Sequence, residues 1–129
     1  MTTYLLDTHV LLWVAQDSPL LSDRAREIIG NPANDILISV ANIWEVVIKS
    51  GLGRTDFTVN PVQLREQALR AGFGELPIRA GHVLEVGALP RVHTDPFDRI
   101  LLAQARIEQF TLLTADQRVL NYGTPAQAV

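Results

Sequence analysis

The chain has 129 residues, of which 47% are hydrophobic and 19% charged, so it is long enough for one folded domain and too short for two. The absence of cysteine excludes disulfides and thiolate metal sites, and any metal must be held by oxygen or imidazole. The net charge of −3 decides nothing about a nucleic-acid partner, because a metal that neutralised four carboxylates would make the chain slightly positive.

Strands alternate with helices along the whole chain. The first apolar strand stops at Asp7, and the turn residues 30–32 (GNP) close the second helix. In chain order we predict a strand over residues 3–6, helices over 8–15 and 22–29, a strand over 36–39, helices over 40–49 and 62–71, a strand over 75–78, helices over 82–89 and 97–108, a strand over 111–114 and a short helix that starts at Asp116.

This alternation predicts the α/β class, with a central parallel sheet covered by helices on both faces. We find no repeat, no low-complexity tract and no linker, so residues 1–129 are expected to form a single domain. The first residues lack a basic region followed by an apolar stretch, and no segment is long enough to cross a bilayer. We therefore expect a cytoplasmic protein without a membrane partner.

Four acids lie in or beside strongly apolar segments: Asp7, Glu45, Asp98 and Asp116. An acid drawn towards a core costs free energy unless its charge is compensated. In parallel α/β sheets the ligand site lies beyond the carboxyl ends of the strands, where we expect Asp7 and Asp116. A loop at the same rim would bring Asp98 to these two acids. Glu45 lies in the middle of a helix, and the sequence specifies its position less well than that of the other three. The shared partner that fits these acids best is a divalent metal.

Each acid also has a simpler interpretation. Asp7, Asp95 and Asp116 are each placed to cap a helix N-terminus. Asp98 would complement a helix dipole, and Glu45 would be a solvated helical residue. These interpretations do not predict that all of the acids fall at one end of the sheet, so the joint pattern favours a site.

Four segments carry a resemblance to a known family: residues 4–9 (YLLDTH), 38–45 (ISVANIWE), 93–105 (beginning HTDPFDR) and 112–116 (LLTAD). With these segments in this order, the chain resembles PIN-domain nucleases, and specifically the VapC-type toxins of bacterial toxin-antitoxin pairs. The resemblance spans nearly the whole chain, and the run from Asp95 to Arg99 is its most specific part.

The resemblance implies a PIN-like fold and a metal-dependent endoribonuclease that hydrolyses RNA to 5′-phosphate and 3′-hydroxyl ends. Its acidic quartet corresponds to Asp7, Glu45, Asp98 and Asp116, which would be both the catalytic residues and the ligands of Mg²⁺ or Mn²⁺. Asp7 and Asp98 would be the principal ligands, Glu45 would position metal or water, and Asp116 would complete the shell of a second ion. Residues proposed to support them or to contact substrate are Thr8, Asp95, Arg99 and Thr114. The family also implies an RNA substrate, a cognate antitoxin and a homodimer.

Other interpretations remain at this point. A PIN-type module that binds without catalysis is the main alternative, and DNA cleavage is another. A phosphate-receiving signalling domain would need a second acid beside Asp7 and a lysine after the strand 111–114, and neither is present. The three histidines share no metal-ligand spacing, and Trp13 and Trp44 are expected in the core.

Overall fold

The computed structural model describes residues 2–129, which contain five strands and seven helices. The elements in chain order are β1 Thr3–Leu6, α1 Thr8–Ala15, α2 Asp23–Gly30, β2 Asp35–Ser39, α3 Val40–Gly51, α4 Pro61–Arg70, β3 Gly74–Leu76, α5 Ala80–Val86, α6 Pro96–Glu108, β4 Thr111–Thr114, α7 Gln117–Leu120 and β5 Ala126–Ala128. Within residues 2–129, no helix has the length and apolar character that a membrane span requires.

All strands are parallel, in the order β3-β2-β1-β4-β5. The first strand therefore lies at the centre of the sheet, with β2 on one side and β4 on the other. The sequence analysis missed β5 and treated β4 as the last strand, which is wrong. The three residues of β5, Ala-Gln-Ala, contain no β-branched or aromatic side chain, and they extend only because Ala126 pairs with Leu112.

Neighbouring residues of each strand pack on opposite faces of the sheet. Leu6 and Leu113 belong to one core cluster with residues of α1 to α4. Leu5 and Leu112 belong to a second cluster, which is formed with residues of α5, α6 and α7. Because side chains alternate along a strand, consecutive leucines serve both faces. This confirms the predicted parallel α/β sheet with helices on both faces.

Three helices begin where three adjacent strands end. Asp7 follows β1 and caps α1, Ser39 ends β2 and caps α3, and Asp116 follows β4 and caps α7. Since β2, β1 and β4 are neighbours, their carboxyl ends form one continuous rim. Asp7 and Asp116, two of the candidate site residues predicted from the sequence, lie at this rim.

Candidate active site

Asp7 is held at the carboxyl end of the central strand with only 4% of its surface exposed. Its Oδ1 accepts a hydrogen bond from the backbone N–H of Thr8, the first residue of α1, at 2.6 Å. Its Oδ2 accepts one from the hydroxyl of Thr114 at 2.6 Å. Burial raises the pKa of Asp7, with a further contribution from the negative charge of Glu45, while the Thr114 hydroxyl works against the increase.

Glu45 points from α3 into the same rim and is 2% exposed, so its interpretation as a solvated residue is wrong. Its Oε1 accepts a hydrogen bond from the Thr8 hydroxyl at 2.6 Å, and its Oε2 accepts one from Lys49 Nζ at 2.5 Å. Asn42 fixes Thr8 in turn, because its amide donates to Thr8 Oγ1 at 2.9 Å and to the carbonyl of Leu6 at 3.1 Å. The Glu45 carboxylate is therefore bonded on both oxygens.

Asp98 lies in the first turn of α6 and is 8% exposed. Burial raises its pKa to about 8, and the negative charges of Asp7, Asp95, Glu45 and Asp116 add to the effect. Negative charges raise the pKa of a carboxyl group only when they lie close to it. The four acids predicted from the sequence therefore lie in one neighbourhood, together with Asp95, and such a set cannot be fully ionised without a compensating cation.

His93 is the residue whose position the sequence analysis did not anticipate. Its Nε2 lies 2.7 Å from Asp98 Oδ2, and the ring is buried. His93, Asp98 and Asp116 each offer one ligand atom, and these atoms all lie within 4.8 Å of one another. The sequence did contain a signal for this contact, because His93 is the first residue of the HTDPFDR segment that also contains Asp98. The spacing of the three histidines could not reveal it, since the loop before α6 brings His93 to Asp98.

Asp116 is more open to solvent than the other acids of the set. Its Oδ1 accepts from the backbone N–H of Arg118 at 2.9 Å, and the Arg118 guanidinium lies 3.1 Å from Oδ2. Partial burial would raise the pKa of Asp116, but the hydrogen bonds and charge of Arg118 outweigh it and leave the pKa lowered. The Asp116 N–H also donates to Thr114 Oγ1 at 3.0 Å, so Thr114 links Asp116 to Asp7.

Asp95 caps α6 through one oxygen and meets a lysine through the other. Its Oδ1 accepts from the N–H groups of Phe97 at 2.8 Å and Asp98 at 3.2 Å. Its Oδ2 lies 3.4 Å from Lys49 Nζ. Burial alone would lower the pKa of Lys49, but its hydrogen bond to Glu45 and the charges of Glu45 and Asp95 outweigh burial and raise it. Lys49 therefore carries its charge inside the site, which the sequence analysis did not predict.

Arg99 faces the loop before α6. Its guanidinium donates to the carbonyl oxygens of Pro90 at 3.0 Å, Val86 at 2.9 Å and His93 at 3.3 Å. It also reaches the Tyr122 hydroxyl at 3.3 Å. These bonds attach the loop that carries His93 to α6, so the visible contribution of Arg99 is to hold that loop in place.

Trp44 is not a core residue, contrary to the prediction, since 52% of its surface is exposed. Its ring meets the edge of Phe97 at a centroid distance of 5.0 Å. The apolar pattern of α3 continues onto its outer face, so periodicity alone placed Trp44 on the buried side.

The donor set fits a hard divalent cation. Carboxylate oxygens from Asp98 and Asp116 converge with one imidazole nitrogen, and the charge of Asp7 lies beside them. Mg²⁺ and Mn²⁺ prefer oxygen ligands and keep part of their water shell, which suits a rim that is partly open to solvent.

Residues 4–124 match the family model described as the PIN domain. This match spans most of the chain, and the chain therefore belongs to the PIN domain family. A search of curated protein sequences gave no match.

Solved structures with a similar fold include toxin-antitoxin complexes. The chain is similar to VapBC2 from Rickettsia felis, bound to a DNA fragment from its promoter, with a TM-score of 0.70 and 14% identity over 99% of both chains. It is similar to VapBC-1 from Haemophilus influenzae with a TM-score of 0.66 and 16% identity over 99% of this chain and 97% of that one. A toxin-antitoxin complex from Klebsiella pneumoniae gives a TM-score of 0.65 and 19% identity over 96% and 95%. At these identities the similarity establishes a shared fold.

Proposed function

We propose that this protein is a metal-dependent endoribonuclease and the toxin component of a toxin-antitoxin pair. The observation that carries the proposal is the group of buried acids at the carboxyl ends of β1 and β4, in which Asp98 has its pKa raised to about 8. Burying several like charges together is unfavourable for a protein that does not use them. A bound divalent cation makes the arrangement favourable, and membership of the PIN domain family supports a nuclease.

Asp98 and Asp116 would hold Mg²⁺ or Mn²⁺ together with Asp7, with His93 beside Asp98. Thr114 would keep Asp7 and Asp116 at a fixed separation through its hydroxyl. Glu45 would help to position Asp7 through Thr8. The Thr8 hydroxyl donates to Glu45, and the Thr8 backbone N–H donates to Asp7. When bound, the metal supplies Lewis acidity at a phosphodiester and lowers the pKa of a coordinated water.

We propose RNA as the substrate class from the resemblance to VapC-type toxins. Arg118 is exposed beside Asp116, where its guanidinium would contact a phosphate of the substrate. Because hydrolysis would use water and leave the ribose 2′-hydroxyl uninvolved, we expect 5′-phosphate and 3′-hydroxyl ends. The similarity to VapBC complexes supports a cognate antitoxin as partner, and we extend the proposal to a homodimer that acts in the cytoplasm.

A PIN-type module that binds without catalysis is the alternative. The chain has all four predicted acids at the rim, and a polar partner holds the carboxylate of each one. A binding module has no need of this arrangement, which favours the enzyme.

The test is cleavage of a mixed RNA pool by protein freed of any co-purifying partner, with Mg²⁺, with Mn²⁺ and with EDTA. We expect cutting that depends on the metal and produces 5′-phosphate ends. Folded protein that cuts no RNA with either metal would overturn the proposal in favour of the binding module. Cutting that persists in EDTA would overturn the metal dependence.

A further inference from the structure

Lys49 places a half-buried ammonium group between Glu45 and Asp95 of the acidic site. Its side chain is 14% exposed, and its Nζ lies 2.5 Å from Glu45 Oε2 and 3.4 Å from Asp95 Oδ2. The Nζ also lies 5.1 Å from the ring centroid of Phe57 and 5.7 Å from that of Phe97. Two carboxylates and two aromatic faces therefore hold this cation in one place.

The contacts of Lys49 divide the acidic site into two parts. In the first part, Glu45 and Asp95 share the lysine. In the second part, His93, Asp98 and Asp116 bring their ligand atoms together within 4.8 Å. A divalent ion bound to Glu45 would lie against the ammonium at short range and be repelled by it. The first part is therefore already occupied by a positive charge.

We propose that Lys49 takes the place of a second divalent ion, so that this site binds one metal per chain. The inference rests on the proposed function, because it concerns how the metal of that function is held. Lys49 is a positioning residue in this scheme. It holds Glu45 in place beside Thr8, and it restricts the metal to the part formed by Asp98, Asp116 and His93, beside Asp7.

The experiment counts bound ions directly. Metal-free protein, freed of any partner, is titrated with Mn²⁺, and the electron paramagnetic resonance signal of free Mn²⁺ gives the number bound per chain. We expect one ion for the wild type. Lys49→Met removes the charge at similar volume, and we expect a second ion to bind. Lys49→Arg keeps the charge, and we expect it to bind one ion like the wild type.

Two further variants locate the ions. The double variant Lys49→Met/Glu45→Gln lacks both the lysine and the Glu45 carboxylate that the lysine bonds. The number of Mn²⁺ ions bound per chain should therefore return to one. Asp98→Asn should abolish the first ion in the wild-type background. Circular dichroism establishes that each variant is folded, and Lys49→Gln replaces Lys49→Met if the latter does not fold.

Each result supports or overturns the inference. Two ions bound at the site of the wild type, or a folded Lys49→Met and Lys49→Gln that each bind one ion, would overturn the role of Lys49 while leaving the proposed nuclease intact. A wild type that binds no Mn²⁺ would overturn both this inference and the metal dependence of the proposed function.

Discussion

The hydroxyl of Thr114 donates a hydrogen bond of 2.6 Å to Oδ2 of Asp7, a residue 107 positions earlier in the chain. The contact exists because β4 pairs in parallel with β1, which brings the carboxyl ends of both strands to the same rim. Thr114 also accepts from the N–H of Asp116 at 3.0 Å. One side chain thus links the carboxylate of Asp7 to the backbone of Asp116, two residues that we propose as metal ligands.

Replacing Thr114 with valine should weaken metal binding by roughly 10–100-fold, because groups that orient metal ligands contribute about that much to affinity. Valine keeps the shape of threonine but removes both hydrogen bonds. Mn²⁺ titration measures the effect. Thr111→Val, at the opposite end of the same strand, is the matched control and should bind as the wild type does. Equal affinity in the two variants would mean that Thr114 does not orient Asp7.

Asp98→Asn and Asp7→Asn should each reduce RNA cleavage on the order of 100-fold or more, because they remove charge from the proposed metal centre, which would stabilise the transition state. Both changes preserve side-chain volume. The control is Asp23→Asn, which alters an exposed acid in the first turn of α2, as Asp98 lies in the first turn of α6. If the Asp98 and Asp7 variants cut as fast as the Asp23 control, the activity comes from a contaminant.

The metal-free protein should lose stability as the pH rises from 5 to 8. The pKa of Asp98 is about 8 in the folded chain and 3.8 in the reference state. Between these values the folded form holds a proton that the unfolded form has released, so each increase in pH favours unfolding. The raised pKa of Asp7 acts in the same direction. Urea denaturation in EDTA measures the free energy of unfolding at each pH.

Asp98→Asn serves as the control for this pH dependence, because an amide does not titrate and the slope should become shallower. Mn²⁺ should stabilise the wild type more at pH 8 than at pH 6, since metal and proton compete for the same carboxylate. A metal-free wild type that gains stability between pH 5 and pH 8 would contradict the raised pKa.

Arg99→Met should lower the free energy of unfolding by about 2 kcal/mol, because a charged donor that satisfies several carbonyl oxygens is lost. The affected carbonyls belong to Val86, Pro90 and His93, so the loop before α6 should loosen. Arg91→Met, at an exposed position of the same loop, should change the stability by well under 1 kcal/mol. Similar denaturation midpoints for the two variants would remove the structural role assigned to Arg99.

Local sequence patterns were enough to predict most of the fold. β1 and β4 were predicted with the bounds that the structure has, since both are short apolar runs that end at a helix cap. β3 was predicted over residues 75–78 but spans Gly74–Leu76, and β5 was missed, because the extended conformation of both depends on pairing with a neighbouring strand. No property of the Ala-Gln-Ala segment itself indicates a strand.

The site was predictable as a group of residues but not as a set of contacts. The acids Asp7, Asp98 and Asp116 could be located because each follows a recognisable strand end or begins a helix. The pairing of Lys49 with both Glu45 and Asp95 depends on how α3 packs beside α6, which a single sequence does not specify. The approach of His93 to Asp98 likewise depends on the loop that Arg99 holds.

The central position of β1 in the sheet has a consequence for synthesis of the protein. Asp7 is translated first, yet its neighbours in the site come from α6 and β4, close to the other end of the chain. More than a hundred further residues must be synthesised before β4 is available to pair with β1 beside Asp7. The acidic site can assemble only after residue 116 has left the ribosome. If the protein cleaves RNA as proposed, this order would keep the nascent chain inactive next to the message that encodes it.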